Sequence, residues 1–115
     1  MKRDIRDFLH DIIFYASKAQ EVALRDSIKI SSYSDEGMIM MHCLQVIGEA
    51  VKKIPTDLRA KYPEIPWKRV AGLRDRIAHD YWGTDMNLIL FVVRENLPSL
   101  CEVVSKMISE IEENP

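Results

Sequence analysis

Apolar residues recur at intervals of three and four along most of this chain, which is the spacing of amphipathic helices. The pattern predicts one helix from about Lys2 to about Ser27 and a second from about Asp35 to Ile54, with Ser34 as a candidate N-cap. Gly48 interrupts the second helix at a cost of about 1 kcal/mol relative to Ala. The expected reason for this glycine is the close approach of a neighbouring helix.

Prolines and a glycine delimit the next helix. Residues 56–61 resemble one short helical turn, and the segment Tyr62-Pro63-Glu64-Ile65-Pro66 is predicted to be a rigid corner because both prolines restrict φ. A helix is then expected from Pro66 to Gly83, since proline suits a first turn and glycine a helix end. The residues of this helix expected to face the core are Trp67, Val70, Leu73 and Ile77.

The last third of the chain predicts one more helical stretch. Thr84 or Asp85 can cap it, and Pro98 should bend or restart it. The chain contains no convincing strand alternation, internal repeat or Gly-rich phosphate loop. These features predict an all-α fold, an up-and-down bundle of four to five helices, in a single domain over residues 1–115.

Charge and cysteine content narrow the class of protein. The net charge of −2 over 115 residues argues against a general nucleic-acid coat protein. Any RNA contact must therefore come from a local basic cluster, for which the candidates are Arg59, Lys61, Lys68, Arg69, Arg74 and Arg76. The two cysteines fit free thiols of a reducing compartment better than a disulfide framework. With no membrane-length apolar run and no signal-peptide core, we expect no membrane association and a cytoplasmic location.

One helix brings together groups that can carry out chemistry. Arg74 precedes His79 by five positions and Tyr81 by seven, and Asp75 lies one helical turn before His79. At about 100° per residue, Arg74 and Tyr81 fall about 20° apart, and His79 about 140° from Arg74. His79 is therefore expected to point away from the apolar stripe, toward solvent, a groove or another subunit.

These residue types suit cleavage of RNA without a metal. A histidine can donate or accept a proton near neutral pH, and an arginine can bind a phosphate and stabilise developing negative charge. The alternative is a plain helix end, with a surface His79 paired to Asp75 and a salt bridge between Arg76 and Asp80. His42 and Cys43 have no second ligand pair at metal-binding spacing, so we predict neither a metal nor another cofactor.

Five sequence blocks occur in an order that resembles the HepT-like family of HEPN-domain toxins. They are Ile47-Gly48-Glu49-Ala50, Tyr62 to Trp67, Gly72-Leu73-Arg74, His79-x-Tyr81 with Gly83 and Asp85, and Asn96-Leu97-Pro98. The resemblance covers nearly the whole chain. It implies a helical HEPN-like bundle that forms a homodimer, in which two R-x4-H motifs line a shared cleft that cleaves RNA without metal.

The same resemblance implies partners and roles for the motif residues. Arg74 and His79 would be catalytic, and Tyr81 would assist them or accept AMP from an MntA-like nucleotidyltransferase antitoxin, as in a type VII-like toxin–antitoxin system. Asp75 stands where many relatives have Asn, and an acid one helical turn before His79 would stabilise the charged form of His79 and repel RNA phosphate. His42 stands where an Arg is expected. Two alternatives remain open: a non-catalytic helical binding partner of a nucleotidyltransferase, with Glu49 and the methionine-rich second helix as interface, and a structural dimer that binds a nucleotide.

Overall fold

Six α-helices account for most of the computed structural model, which describes residues 3–25, 31, 34–79 and 85–113, with the backbone alone at Ala78 and His79. The helices are α1 (Ile5–Ala23), α2 (Asp35–Lys52), α3 (Thr56–Ala60), α4 (Trp67–His79), α5 (Met86–Phe91) and α6 (Leu97–Glu113). A single π-helical segment, Val92–Asn96, joins α5 to α6. No strand occurs within these described ranges, so the predicted all-α fold is confirmed.

The helix ends follow the capping residues. The Ser34 hydroxyl accepts a hydrogen bond from the Gly37 N–H at the start of α2, and the Asp85 carboxylate accepts one from the Asn87 N–H at the start of α5, as predicted. Asp4 and Asp7 form a capping box at the start of α1. The predicted bounds of α1 and α2 were too long. In α1 the Leu24 N–H bonds back to the Glu21 and Val22 carbonyls, which tightens the last turn and closes the helix after Ala23.

The hydrophobic core forms around α1, which packs against both α2 and α6, and α2 also packs against α4. Apolar residues spaced by four and three predict a core-facing stripe for α2 at Met40, Leu44, Ile47, Val51 and Ile54. All five are buried, although Ile54 lies beyond the helix end at Lys52. The same spacing predicts a stripe for α6 at Leu97, Leu100, Val104, Met107, Ile108 and Ile111. The first five are buried and Ile111 is half-buried. Cys43 is buried and Cys101 half-buried, and both are free thiols. None of the helices described here is long and apolar enough to span a membrane.

The π-helical segment accommodates Pro98. Proline lacks an N–H, and its ring opposes the carbonyl four residues earlier, so a regular helix is disfavoured around Arg94. The Leu97 N–H bonds instead to the Val92 carbonyl, five residues back, and the helix continues as α6. Arg94 donates a hydrogen bond to the Ala23 carbonyl at 2.7 Å, which joins this segment to the C-terminal end of α1. Pro98 therefore changes the helical register, in agreement with the prediction that it bends or restarts the helix.

Gly48 allows α2 and α4 to pack closely. A Cβ atom at Gly48 would lie 3.0 Å from the Arg74 nitrogen and the Val70 oxygen, and 3.2 Å from the Ala71 oxygen. All three atoms belong to the α4 backbone, which cannot rotate away as a side chain can. The predicted reason for this glycine is thereby confirmed. The close approach sets the residues that follow Gly48 on α2 directly beside Arg74.

Candidate functional site

The segment that precedes α4 holds this helix in place. Trp67, at the start of α4, donates its indole N–H to the Tyr62 carbonyl at 2.9 Å, and both side chains are buried. The Tyr62 hydroxyl in turn donates to the Glu110 carboxylate of α6. Burial, together with the bond to Glu110, raises the pKa of Tyr62 to about 12, so the phenol stays protonated at neutral pH. The proline corner thus connects α4 to the C-terminal part of α6.

Four charged side chains meet where α2 packs against α4. The Arg74 guanidinium lies 3.1 Å from the Asp75 carboxylate and 3.7 Å from the Glu49 carboxylate. Lys52 Nζ lies 3.1 Å from the other Asp75 oxygen. We refer to Glu49, Lys52, Arg74 and Asp75 as the α2–α4 charge cluster. It contains two positive and two negative groups, so its net charge is zero.

The cluster lies at the surface. The side chains of Arg74, Glu49 and Asp75 are each about half exposed, at 50%, 51% and 51%. The hydrogen bond from Lys52, followed by that from Arg74, holds the pKa of Asp75 below its ordinary value. Exposed ion pairs of this kind are weak, because water screens them. An incoming phosphate can therefore displace a carboxylate from Arg74 at modest cost and take up the guanidinium donors.

Of the predicted site residues, the structure describes the side chains of Arg74 and Asp75 but not those of His79 and Tyr81. Arg74 and Asp75 are adjacent in α4 and bonded to each other, and the α4 backbone extends to His79. The His79 side chain and the whole of Tyr81 lie outside the described residues, so their predicted roles remain predictions. The same holds for the proposed pairs of Asp75 with His79 and of Arg76 with Asp80. Among the described side chains, Asp75 bonds to Lys52 and Arg74.

Lys52 was not among the predicted site residues. It lies on α2, one helical turn beyond Glu49 and Gly48. A usable signal was nevertheless present, because a residue four positions after a glycine in a close helix contact lies on the same helix face as that glycine. Glu49 was expected only as part of a partner interface, whereas the structure brings its carboxylate to Arg74.

A groove of about 860 Å³ lies on a different face of α4, between this helix and the α5–α6 segment. On α4 it is lined by Arg69, Gly72, Leu73 and Arg76, and across from them lie Leu88 and Phe91. Arg74 is not part of its lining, because it faces α2. The α4 helix therefore presents one cation to the charge cluster and two others to the groove.

Comparison with known proteins adds the following findings. A family model described as Ribonuclease HepT-like matches residues 6–107. Two proteins of Methanocaldococcus jannaschii, both named as putative RNases, are 37% and 38% identical, covering 97% and 96% of this chain and 97% and 93% of their own lengths. A protein of Thermococcus cleftensis named Probable ribonuclease HepT is 34% identical over 87% of this chain and 92% of its own length. No solved structure is significantly similar to the chain.

Proposed function

The chain belongs to the HepT-like ribonuclease family, and from this premise we propose that it is a metal-independent endoribonuclease, the toxin component of a type VII-like toxin–antitoxin system. The observation that carries the proposal is the position of Arg74. It is a surface cation held between two carboxylates at the α2–α4 contact, and it shares one helix with His79. Names given to relatives, which include RNase and ribonuclease HepT, support the same substrate class.

The reaction we propose is transfer of the RNA phosphate to the neighbouring 2′-oxygen. The 2′-oxygen forms a bond to phosphorus as the bond from phosphorus to the 5′-oxygen breaks. One proton leaves the 2′-hydroxyl and another reaches the departing 5′-oxygen, which are transfers that a histidine such as His79 can perform near neutral pH. Arg74 would bind the phosphate and stabilise its additional negative charge. The products are a 2′,3′-cyclic phosphate and a 5′-hydroxyl end.

We further propose that the active form is a homodimer with two motifs in a shared cleft. The reaction requires both a base and an acid, and α4 of one chain carries a single histidine, His79. A second copy would supply the second histidine.

Inhibition would come from an MntA-like nucleotidyltransferase antitoxin that transfers AMP from ATP to Tyr81. The added phosphate would bring negative charge and bulk to the end of the same helix and so oppose RNA binding.

The principal test incubates the purified, partner-free protein with total RNA in EDTA. Wild-type protein should cleave and leave 2′,3′-cyclic phosphate ends, whereas His79→Ala should not. His10→Ala, which alters an exposed histidine on α1, is the matched control and should retain activity. If His79→Ala cleaved as well as wild type with its fold intact, the proposed role of His79 would be wrong.

Intact mass decides how an inactive wild-type preparation is to be interpreted. If the wild-type mass were higher by one or more AMP units and this increase were absent from Tyr81→Phe, the preparation would be a silenced toxin and the proposed switch would be supported. An unmodified, folded and inactive protein would favour the non-catalytic binding partner. If an MntA-like nucleotidyltransferase labelled the protein from ATP and the labelling persisted in Tyr81→Phe, Tyr81 would not be the AMP acceptor.

A further inference from the structure

The two glycines at helix positions near the site have different surroundings. Gly48 is buried, and α4 backbone atoms occupy the space where its Cβ would lie. At Gly72, apart from the adjoining α4 backbone, no described atom lies within 4 Å of where a Cβ would be, and its φ is not positive. Glycine in the interior of a helix costs stability relative to alanine. Neither packing nor backbone conformation within the described chain explains the choice of glycine at residue 72.

Exposed cations surround Gly72 on α4. Lys68 and Arg69 lie about one turn before it and Arg76 one turn after it, and all three side chains are exposed. None of the three forms an ion pair with another described residue, whereas Arg74 is paired with Glu49 and Asp75. We call Lys68, Arg69, Gly72 and Arg76 the α4 track.

The α4 track leads toward the predicted catalytic position. Gly72 and His79 are seven residues apart, so they fall about 20° apart around the helix and about 10 Å apart along it. The adjacent groove adds the polar side chains of Asn96 and Ser99. It also contains two carboxylates, Glu64 and Asp85, of which Asp85 is engaged as the N-cap of α5.

We propose that the sugar–phosphate backbone of a single RNA strand passes directly over α4 at Gly72, with its phosphates bound by Lys68, Arg69 and Arg76. The missing side chain lets the strand approach the helix closely, which is a recognised use of glycine beside a ligand. Contacts of this kind bind phosphate without reading sequence, and they would guide the strand toward His79 and Arg74. This inference rests on the proposed ribonuclease function and adds to it the path of the substrate.

The test measures RNA binding by full-length His79→Ala protein, which removes the predicted catalytic group. The probe is a short fluorescent polyuridine, titrated by anisotropy at several salt concentrations. Replacing Lys68, Arg69 and Arg76 together by Gln should weaken binding and reduce the slope of log affinity against log salt by about 2, or about 0.7 per lost phosphate contact. Lys106→Gln, at an exposed cation of α6, is the matched control and should leave the slope unchanged.

Gly72 provides a separate test that leaves the charge unchanged. Gly72→Ala should weaken RNA binding, and Gly72→Leu should weaken it more strongly, because each adds bulk where the strand approaches. Both residues favour helix, so neither variant should lower the melting temperature. Sedimentation should show the same oligomeric state as the parent protein. Loss of binding together with dissociation would assign Gly72 to a contact between copies and overturn the proposal.

Failure of the track and failure of the ribonuclease function give different results. If wild-type protein cleaves RNA and neither the triple Gln variant nor Gly72→Leu alters binding, the proposed track is wrong and the ribonuclease function stands. If wild-type protein does not cleave, but binding depends on the three cations and on Gly72, the track stands and the catalytic proposal fails.

Discussion

Replacing Gly48 by Ala should destabilise the fold, although alanine is the better helix former. The helix propensity of alanine favours the variant by about 1 kcal/mol. Against this, the new Cβ would lie 3.0 Å from two backbone atoms of α4 and 3.2 Å from a third. Overpacking of this kind usually costs about 1–3 kcal/mol. The expected net change is a loss of about 1 kcal/mol in the free energy of unfolding.

The assay is urea denaturation followed by circular dichroism. It is repeated at several protein concentrations, because the apparent stability of an oligomer depends on protein concentration. Gly72→Ala is the matched control, since its Cβ would meet open space and its stability should rise by up to about 1 kcal/mol. The two variants should therefore differ by about 2 kcal/mol, with similar m-values. Because Arg74 supplies one of the obstructing atoms, Gly48→Ala should also reduce RNA cleavage.

A gain in stability for Gly48→Ala equal to that for Gly72→Ala would refute the reasoning. It would mean that α2 and α4 do not approach closely at Gly48. The geometry of the α2–α4 charge cluster would then lose its support, because the pairing of Glu49 with Arg74 depends on that approach.

Two further predictions follow from the ionisable groups. Asp75→Asn should strengthen RNA binding several-fold, because it releases Arg74 and Lys52 from a carboxylate. Fluorescence anisotropy measures the affinity, with Asp57→Asn as the control. Weaker binding with the fold intact would show that Asp75 orients Arg74 rather than competes with RNA for it. Tyr62→Phe should cost about 1 kcal/mol through the lost bond to Glu110, as measured by denaturation. The pKa of Tyr62 is raised from 10.0 to about 12, so its stabilising effect is complete below pH 10 and is lost as the pH rises through about 12; a difference between wild type and variant that did not shrink over that range would contradict this assignment.

Much of the fold could be predicted from local patterns. Apolar spacing identified the buried stripes of α2 and α6, and the caps at Ser34 and Asp85 were read from residue type. These features depend on neighbours within one or two helical turns, so the sequence records them directly. The end of α1 at Ala23 could not be predicted in this way, because no glycine or proline marks it.

In the candidate site too, some features follow from local sequence and others only from helix packing. The order of Arg74, Asp75 and His79 on one helix, and therefore the chemistry available there, was determined by the sequence alone. Only the tertiary structure decided that Arg74 lies against Glu49 and that Asp75 bonds to Lys52. The two residues of the first pair are 25 positions apart and those of the second pair 23, and the contact of α2 with α4 at Gly48 brings both pairs together. Periodicity shows which face of a helix is buried, whereas the partner of each charged side chain depends on how closely, and in what register, two helices pack.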